Sequence, residues 1–413
     1  MPPENLTAAS LLATPGVPSW VAEFAHAPNH QVRFGPGVAM EVGQLVADMK
    51  VHRVLVVTDP GLAATGHLRR VVASLEKAGL VVGTFTEVRE NPTTHVVDAC
   101  VAAARRCDAQ ALIGLGGGSS MDAAKGCNFI LTNGGRMQDY WGVGKATLPM
   151  LPFIAIPTTA GTGSECQSFA LISDAETHAK MACGDKKAAA CLALLDPELT
   201  VTQPAMVTRL TGIDAMAHAL ESAVSTKSNE ISLAYSLAAF SLLAVGFPVV
   251  LADPTNLRAR SQMLLGAALA GVAIENSMLG AAHAAANPLT AQFQLVHGEA
   301  VGVMMPRILR CNLLNQEARS TYQKLAEKIG LQADDLPRWF ENLLELAGLP
   351  DHLRHWGIGE AHVPALAAEA AQQWTAMFNP AAVVEEDFRK FYTDTLSAAL
   401  PFSGSSSAQA SSH

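Results

Sequence analysis

Short apolar runs alternate with helix-patterned segments through the first half of the chain, and then the short runs stop. "RVLVVTD" (53–59), "LVVGTFTEV" (80–88), "AQALIGLGGGSS" (109–120) and "LPFIAIPTT" (151–159) each read as a buried strand, the third ending in glycines. Helical patterns fill 66–78 and 94–107, and "KMACGDKKAAACLALLD" (180–196) reads as the last of the sheet region. Such alternation predicts a parallel sheet flanked by helices. From about 204 onward long Ala/Leu-rich helical patterns take over: 204–226, 231–247, 257–277, 298–314, 318–329, 336–347, 362–374 and 385–398. The predicted fold is therefore an α/β domain, a parallel sheet flanked by helices, followed by an all-α domain. The expected organisation is an irregular lead-in over 1–30, the α/β domain over 31–200, the helical domain over 201–402 and a disordered low-complexity tail, "SGSSSAQASSH", over 403–413. "PELTVTQP" (197–204) carries two prolines, as a domain junction does.

Bulk properties narrow the function classes. A chain of 413 residues is too long for one small core. With 49% hydrophobic and only 16% charged residues, extensive burial and a subunit interface are expected, in a homo-oligomer such as a dimer. The net charge of −9, without a Lys/Arg cluster, argues against nucleic-acid binding. The seven cysteines form no CxxC pair, which predicts reduced thiols in a cytoplasmic protein. "MPPENLTAASLLATPG" has an acid and no basic region, so it does not read as a secretory signal. The longest apolar run, 238–252, is interrupted by Ser241, Gly246 and Pro248 and reads as too short and broken to span a bilayer.

Three loops follow predicted strands. In "ALIGLGGGSSMDAAK" the strand ends at Gly116, Gly117, Gly118 and Ser119. Ser119, with Asp122 three residues later, has the form of a capping box and predicts a helix start. Glycines there expose bare backbone, and a helix N-terminus presents N–H groups and a positive dipole end, a setting suited to pyrophosphate. The ordinary Rossmann fingerprint is not matched, since Ser119 stands where a third glycine belongs; a plain tight turn is the bland reading. Asp59 ends an earlier strand, where a carboxylate can bind ribose hydroxyls and repel the extra phosphate of NADP, or can simply cap a helix. In "PTTAGTGSE" (157–165), Thr158, Thr159 and Thr162 can donate to phosphates or a carboxamide. Loops after strands of one parallel sheet gather at one edge, where ligands bind in open α/β sheets.

"GIDAMAHALE" (212–221) places Asp214, His218 and Glu221 at i, i+4 and i+7, one stripe of an otherwise apolar helix. "GAAHAAANPLTAQFQLVHGEAVG" supplies His283 in an Ala-rich helix, which Pro288 is expected to break, and His297 at the start of the next helix. Asp214, His218, His283 and His297 together can close around a divalent cation. One carboxylate with three neutral imidazoles suits Fe²⁺ or Zn²⁺, and four protein ligands still leave room for substrate if the shell expands. A lone His in a helix is more often a satisfied core residue, and the case rests on the two signals occurring together.

"GGGSSMDAAK", "PTTAGTGSE", "DPELT", "GIDAMAHALES" and the two spaced histidines resemble the iron-containing (group III) alcohol dehydrogenase family, from about residue 30 to 400. The resemblance implies an N-terminal dinucleotide-binding α/β domain, a C-terminal all-helical domain and an active site in the cleft between them. It implies Asp214, His218, His283 and His297 as ligands of Fe²⁺, with Zn²⁺ as the alternative. Gly117, Gly118 and Ser119 would form the pyrophosphate loop, with Asp122 behind it. Asp59 matches the family position favouring NAD over NADP, and Asn91, Thr158, Thr159, Thr162 and Lys180 match further cofactor positions. Many members carry a histidine four residues after the first of the spaced pair; here Asn287 stands there, close to substrate, able to hydrogen-bond a hydroxyl but not to titrate.

The function expected is an NAD-dependent, metal-dependent alcohol dehydrogenase or aldehyde reductase acting on a small alcohol. The alternatives are a related reaction, of the maleylacetate reductase or glycerol/polyol dehydrogenase kind, and a degenerate binding protein.

Overall fold

The computed structural model describes residues 31–397. The lead-in expected over 1–30 and the tail expected over 403–413 lie outside the described residues. Among the described residues there are nine strands: β1 (Gln31–Phe34), β2 (Arg53–Val57), β3 (Val81–Phe85), β4 (Ala111–Gly116), β5 (Gly142–Val143), β6 (Phe153–Pro157), β7 (Phe169–Ser173), β8 (Lys180–Gly184) and β9 (Leu192–Leu195). Five α-helices interleave with them: α1 (Val42–Asp48), α2 (Pro60–Ala64), α3 (His67–Lys77), α4 (Thr94–Arg106) and α5 (Gly118–Asn133). After β9 the described chain is helical: α6 (Ala205–Val224), α7 (Glu230–Ala252), α8 (Leu257–Glu275), α9 (Ala281–Phe293), α10 (His297–Asn312), α11 (Gln316–Glu327), α12 (Leu336–Ala347), α13 (Val363–Gln372) and α14 (Glu385–Asp394). An α/β unit followed by a helical one is the predicted fold class.

The main sheet is parallel with strand order β1-β9-β6-β4-β2-β3. β2 and β4 are neighbours, and β3 lies on the far side of β2. The chain therefore reverses its direction of travel across the sheet at the β2/β4 boundary, which is where open α/β sheets bind ligands. β-Branched residues populate these strands and sort by period two. Val54, Val56, Ile113, Ile154 and Ile156 pack with Val42, Val46, Val71 and Leu75 of α1 and α3 on one face. Leu55, Val57, Leu112, Phe153 and Ala155 face α4, α5 and a core continuous with the helical half.

The region 180–196, expected as the end of one sheet, divides. β9 enters the main sheet between β1 and β6, whereas β8 joins a separate three-stranded sheet, β5-β8-β7. The helix after β4 begins at Gly118 with Gly117 as its N-cap and no side-chain cap, so Ser119 and Asp122 do not form the expected capping box. Asp122 is instead drawn into the protein by a longer-range partner described below.

Two prolines expected to interrupt helices do not. Pro288 lies within α9, and Pro248 lies within α7 together with Ser241 and Gly246. Pro288 removes one backbone donor, but α9 is enclosed by α10 and α13, and Tyr392 Oη donates to the Ala285 carbonyl at 2.7 Å. Burial of the Ala-rich face outweighs the local defect. α7, capped by Asn229, which accepts from Ile231 and Ser232 N–H, is long and apolar enough to cross a membrane by length and composition. Its buried face, including Phe240, Leu243 and Phe247, packs on α6 and α8; each such side chain contributes about 1.5–3 kcal/mol to the core.

Candidate active site

The carboxyl ends of β2, β4 and β6 carry the three predicted loops. The Thr158 N–H donates to the Gly116 carbonyl at 2.9 Å, holding two of the loops side by side. A Cβ on Gly117 would lie 3.3 Å from Thr159, and one on Gly118 would lie 2.8 Å from Thr162 Cγ2, so the glycine turn and the threonine loop touch. Ser119 lies in the first turn of α5. Asp59 has both readings at once. Its Oδ1 accepts from Leu62 N–H at 2.8 Å and caps α2, while Oδ2 points toward Gly116, 3.5 Å from an ideal Cβ there. Beside it opens a cavity of about 310 Å³ lined by residues including Pro60, Phe85, Glu87 and Arg89. Asn91 is exposed, in left-handed conformation (φ 50°), between β3 and α4.

Asp122 lies beneath this edge. Its Oδ1 accepts from Ser164 Oγ at 2.9 Å, and burial raises its pKa despite the attraction of Lys125 and that hydrogen bond. Lys125 is fully buried and donates to the Ser164 carbonyl (2.6 Å), Ser164 Oγ (2.9 Å) and the Phe169 carbonyl (2.9 Å). A buried ammonium with three acceptors ties the threonine loop to α5. Lys125 and Ser164 are therefore supports of the loops at this sheet edge, and no local sequence signal paired them.

The loop also rests on the helical half. Gly163 (φ +62°) and Gly271 of α8 meet so closely that a Cβ on Gly163 would lie 2.7 Å from Gly271 Cα. One turn later Glu275 accepts from Ser168 N–H (3.0 Å) and Ser168 Oγ (2.7 Å).

The four predicted ligand residues converge. Asp214 Oδ1 lies 3.5 Å from His218 Nε2, 3.5 Å from His283 Nε2 and 3.8 Å from His297 Nε2. One helical turn of α6 brings the first pair together. A Cβ on Gly298 would lie 2.4 Å from the Leu210 carbonyl, so the start of α10 rests directly on α6 and delivers His297. Ring centroids are 4.9 Å apart for His218 and His283 and 5.3 Å for His283 and His297. Asp214 Oδ1 and His283 Nε2 are buried and have no hydrogen-bond partner among the described residues. Orphaned, convergent acceptors of this kind fit a cation better than a finished hydrogen-bond network.

Electrostatics couple the four residues, and a cation bound by His283 would have to displace the Nε2 proton that Glu221 and Asp214 favour. Burial alone would raise the Asp214 pKa, but His218, His283 and His297 together hold it low. Burial opposes charge on His283, yet Glu221 and Asp214 outweigh it and raise its pKa to about 9. Burial lowers His218 and His297 with Asp214 opposing. His297 is the most accessible of the four, 30% exposed, so its shift is the least enclosed. Lys180, at the start of β8, is exposed. Desolvation lowers its pKa against the pull of Asp122, Asp214 and Glu90, which places it within electrostatic reach of both the loop edge and the histidine cluster.

Two further side chains complete the site. Glu221, the third member of the α6 stripe, is buried; it holds His283 Nδ1 through Oε2 and accepts from Ala282 N–H through Oε1 at 2.7 Å. Asn287, one turn beyond His283, donates through Nδ2 to Gln373 Oε1 at 2.9 Å. The neighbouring Trp374 stacks on Phe169 of β7 with centroids 6.0 Å apart, joining the two halves. The i, i+4, i+7 stripe already contained the signal for Glu221; nothing local pointed to Gln373.

Comparison with known proteins agrees along the chain. Residues 29–197 match the family model for iron-containing alcohol dehydrogenase, and residues 208–396 match that for the C-terminal part of the Fe-containing alcohol dehydrogenase family. The NAD-dependent methanol dehydrogenase of Bacillus methanolicus is 32% identical over 371 residues, covering 88% of this chain and 97% of that protein. A crystal structure of 1,3-propanediol oxidoreductase superposes with a TM-score of 0.86 at 30% identity, covering 89% of this chain and 98% of the other. The sulfoacetaldehyde reductase of Bifidobacterium kashiwanohense, solved in complex with NAD+, gives a TM-score of 0.85 at 28% identity, covering 92% and 100%.

Proposed function

Because the chain belongs to the iron-containing alcohol dehydrogenase family and is an oxidoreductase acting on CH–OH groups, we propose that it interconverts a small alcohol and its aldehyde with NAD(H), using a divalent cation. Asp214, His218, His283 and His297 would hold Fe²⁺, with Zn²⁺ as the alternative. When bound, the cation supplies Lewis acidity that eases ionisation of a substrate hydroxyl, and the nicotinamide exchanges the hydride. The convergence of Asp214 Oδ1 with three imidazole nitrogens at 3.5–3.8 Å carries this reading.

The protein's own groups bind and align. Backbone N–H groups at the start of α5 receive pyrophosphate. Asp59 uses the oxygen free of its cap to orient a ribose and to disfavour NADP. Thr158, Thr159 and Thr162 offer hydroxyls beside the glycine turn, and Lys180 and Asn91 are further cofactor contacts. Asn287 offers a neutral amide to the substrate. A polyol substrate is the second reading, favoured by the Asn287–Gln373 amide pair, which can present a hydrogen-bonding group one turn from His283.

Seven free thiols, four of them buried, support a reducing, cytoplasmic setting. Edge strand β1, with Val32 44% and Phe34 41% exposed, supports self-association as a dimer. The decisive experiment pairs elemental analysis of anaerobically purified protein with Asp214→Ala and His283→Ala. Both variants are expected to lose bound metal and, on the order of, a thousandfold in kcat, equivalent to several kcal/mol of transition-state stabilisation, while NADH still binds by fluorescence titration. Unchanged turnover in either variant refutes the assignment.

A further inference from the structure

Glu221 is not one of the four residues assigned to the cation, yet it is the polar group most tightly coupled to one of them. It lies seven residues after Asp214 on α6 and is 2% exposed. One carboxylate oxygen is bonded to His283 Nδ1, and the other accepts from Ala282 N–H in the first turn of α9 at 2.7 Å. Gly280 makes the approach possible, since a Cβ there would lie 3.1 Å from Glu221 Oε1. Both oxygens are thus occupied by donors, and both donors belong to the segment that carries the imidazole.

We propose that Glu221 is a positioning residue for the cation site: by accepting from Nδ1–H it holds the His283 tautomer whose bare Nε2 faces Asp214. The inference rests on the cation reading above. A neutral imidazole has one N–H and one lone pair. With the proton on Nδ1, the lone pair lies on Nε2, on the side of Asp214 and the other two rings. With the proton on Nε2, His283 has no lone pair on that side and cannot ligate. The carboxylate also fixes the ring's rotation and makes Nε2 more basic, as partners of metal-bound histidines do in general. A role as a simple cap of α9 would account for the Ala282 bond alone and leave the His283 bond unused.

Glu221→Gln separates these roles. The amide oxygen must accept from Ala282 N–H, because the amide nitrogen cannot. That orientation turns the NH₂ toward His283 Nδ1 and demands a lone pair there, which forces the proton onto Nε2. The cap survives and the tautomer is reversed. Zn²⁺ affinity, measured by competition with a chromophoric chelator, is expected to fall about 10- to 100-fold. The visible d–d spectrum of the Co²⁺-loaded protein is expected to change, while the thermal midpoint of metal-free protein and NADH binding stay as in wild type. Affinity within twofold of wild type together with an identical Co²⁺ spectrum overturns the proposal and leaves Glu221 a cap. Failure of wild type itself to take up Zn²⁺ or Co²⁺ overturns the cation reading and this proposal with it. If the variant folds poorly, ¹⁵N-histidine NMR of Zn²⁺-loaded wild type decides: a protonated Nδ1 on His283, assigned by its loss in His283→Asn, supports the proposal, and an unprotonated one refutes it.

Discussion

Asn287 Nδ2 donates to Gln373 Oε1 at 2.9 Å, across 86 residues of chain, from a position one helical turn beyond His283. With its NH₂ engaged by Gln373, Asn287 has its carbonyl oxygen available as an acceptor for a substrate hydroxyl. Gln373→Leu removes the partner and frees the amide to rotate. KM for short diols is expected to rise roughly 3- to 10-fold, the value of one hydrogen bond, while KM for monohydric alcohols of equal length changes little. Steady-state kinetics on matched pairs of diols and alcohols give the ratio; an unchanged ratio shows that Asn287 does not read the second hydroxyl.

Asp59 caps α2 through Oδ1 and aims Oδ2 at the glycine turn. Asp59→Ser keeps a side-chain oxygen at the N-cap, so stability should change by only a few tenths of a kcal/mol, since Ser and Asp are comparable caps. The negative charge is lost. The NADP-to-NAD ratio of kcat/KM is expected to rise at least tenfold, on the order of 1.4 kcal/mol. A ratio unmoved in a variant of normal stability would reduce Asp59 to a cap.

Gly163 has no room for a side chain. Its φ of +62° disfavours any other residue, and an added Cβ meets Gly271 backbone at 2.7 Å, where no flexible side chain can yield. Gly163→Ala should destabilise by roughly 1–3 kcal/mol as an overpacked contact does, with a further penalty from the left-handed backbone. Chemical denaturation measures the first effect. A raised KM for NAD is expected too, because the same turn carries Thr162 beside Gly118; normal stability with normal KM would contradict the joint described here.

Glu165 is buried, 3% exposed, with Oε1 lacking a hydrogen-bond partner among the described residues. Burial raises its pKa from 4.5 to about 7, against a backbone hydrogen bond and the pull of Lys125. The folded state therefore binds this proton more tightly than the unfolded state. Its contribution is fully present below pH 4.5 and is lost as pH rises through about 7, amounting to roughly 3 kcal/mol at 1.36 kcal/mol per pK unit. Glu165→Gln removes the titration. The stability of the variant relative to wild type should thus increase between pH 4.5 and 7 and level off above, measured as denaturation midpoints across that range. A pH-independent difference would mean that Glu165 titrates normally.

Much of this architecture was legible in one dimension because it depends on local periodicity. Val54, Val56 and Ile113 announce strands, and the switch to helical spacing after β9 announces the second half. Loops that follow parallel strands must share an edge, so Asp59, Gly117 and Thr158 could be grouped before their contacts were known. Pro248 and Pro288 misled for the complementary reason: a local breaker signal yields when packing of a helix's buried face outweighs the lost backbone bond. Ser119 and Asp122 had capping-box spacing, but a buried hydrogen bond from Ser164, 42 residues away, claimed Asp122 instead.

Sequence alone determined the class of fold and the pairing of Asp214 with His218, since residue type and spacing on one helix survive any arrangement of its neighbours; that His283 and His297 join them from two other helices is a matter of packing. Tertiary structure decided the rest: which strand adjoins which, that Glu221 reaches across 62 residues to His283, that Gln373 restrains Asn287, and that two glycines form the joint between the halves. Those partners lie far apart along the chain, and only packing brings them within the few ångströms over which a hydrogen bond or a steric contact acts.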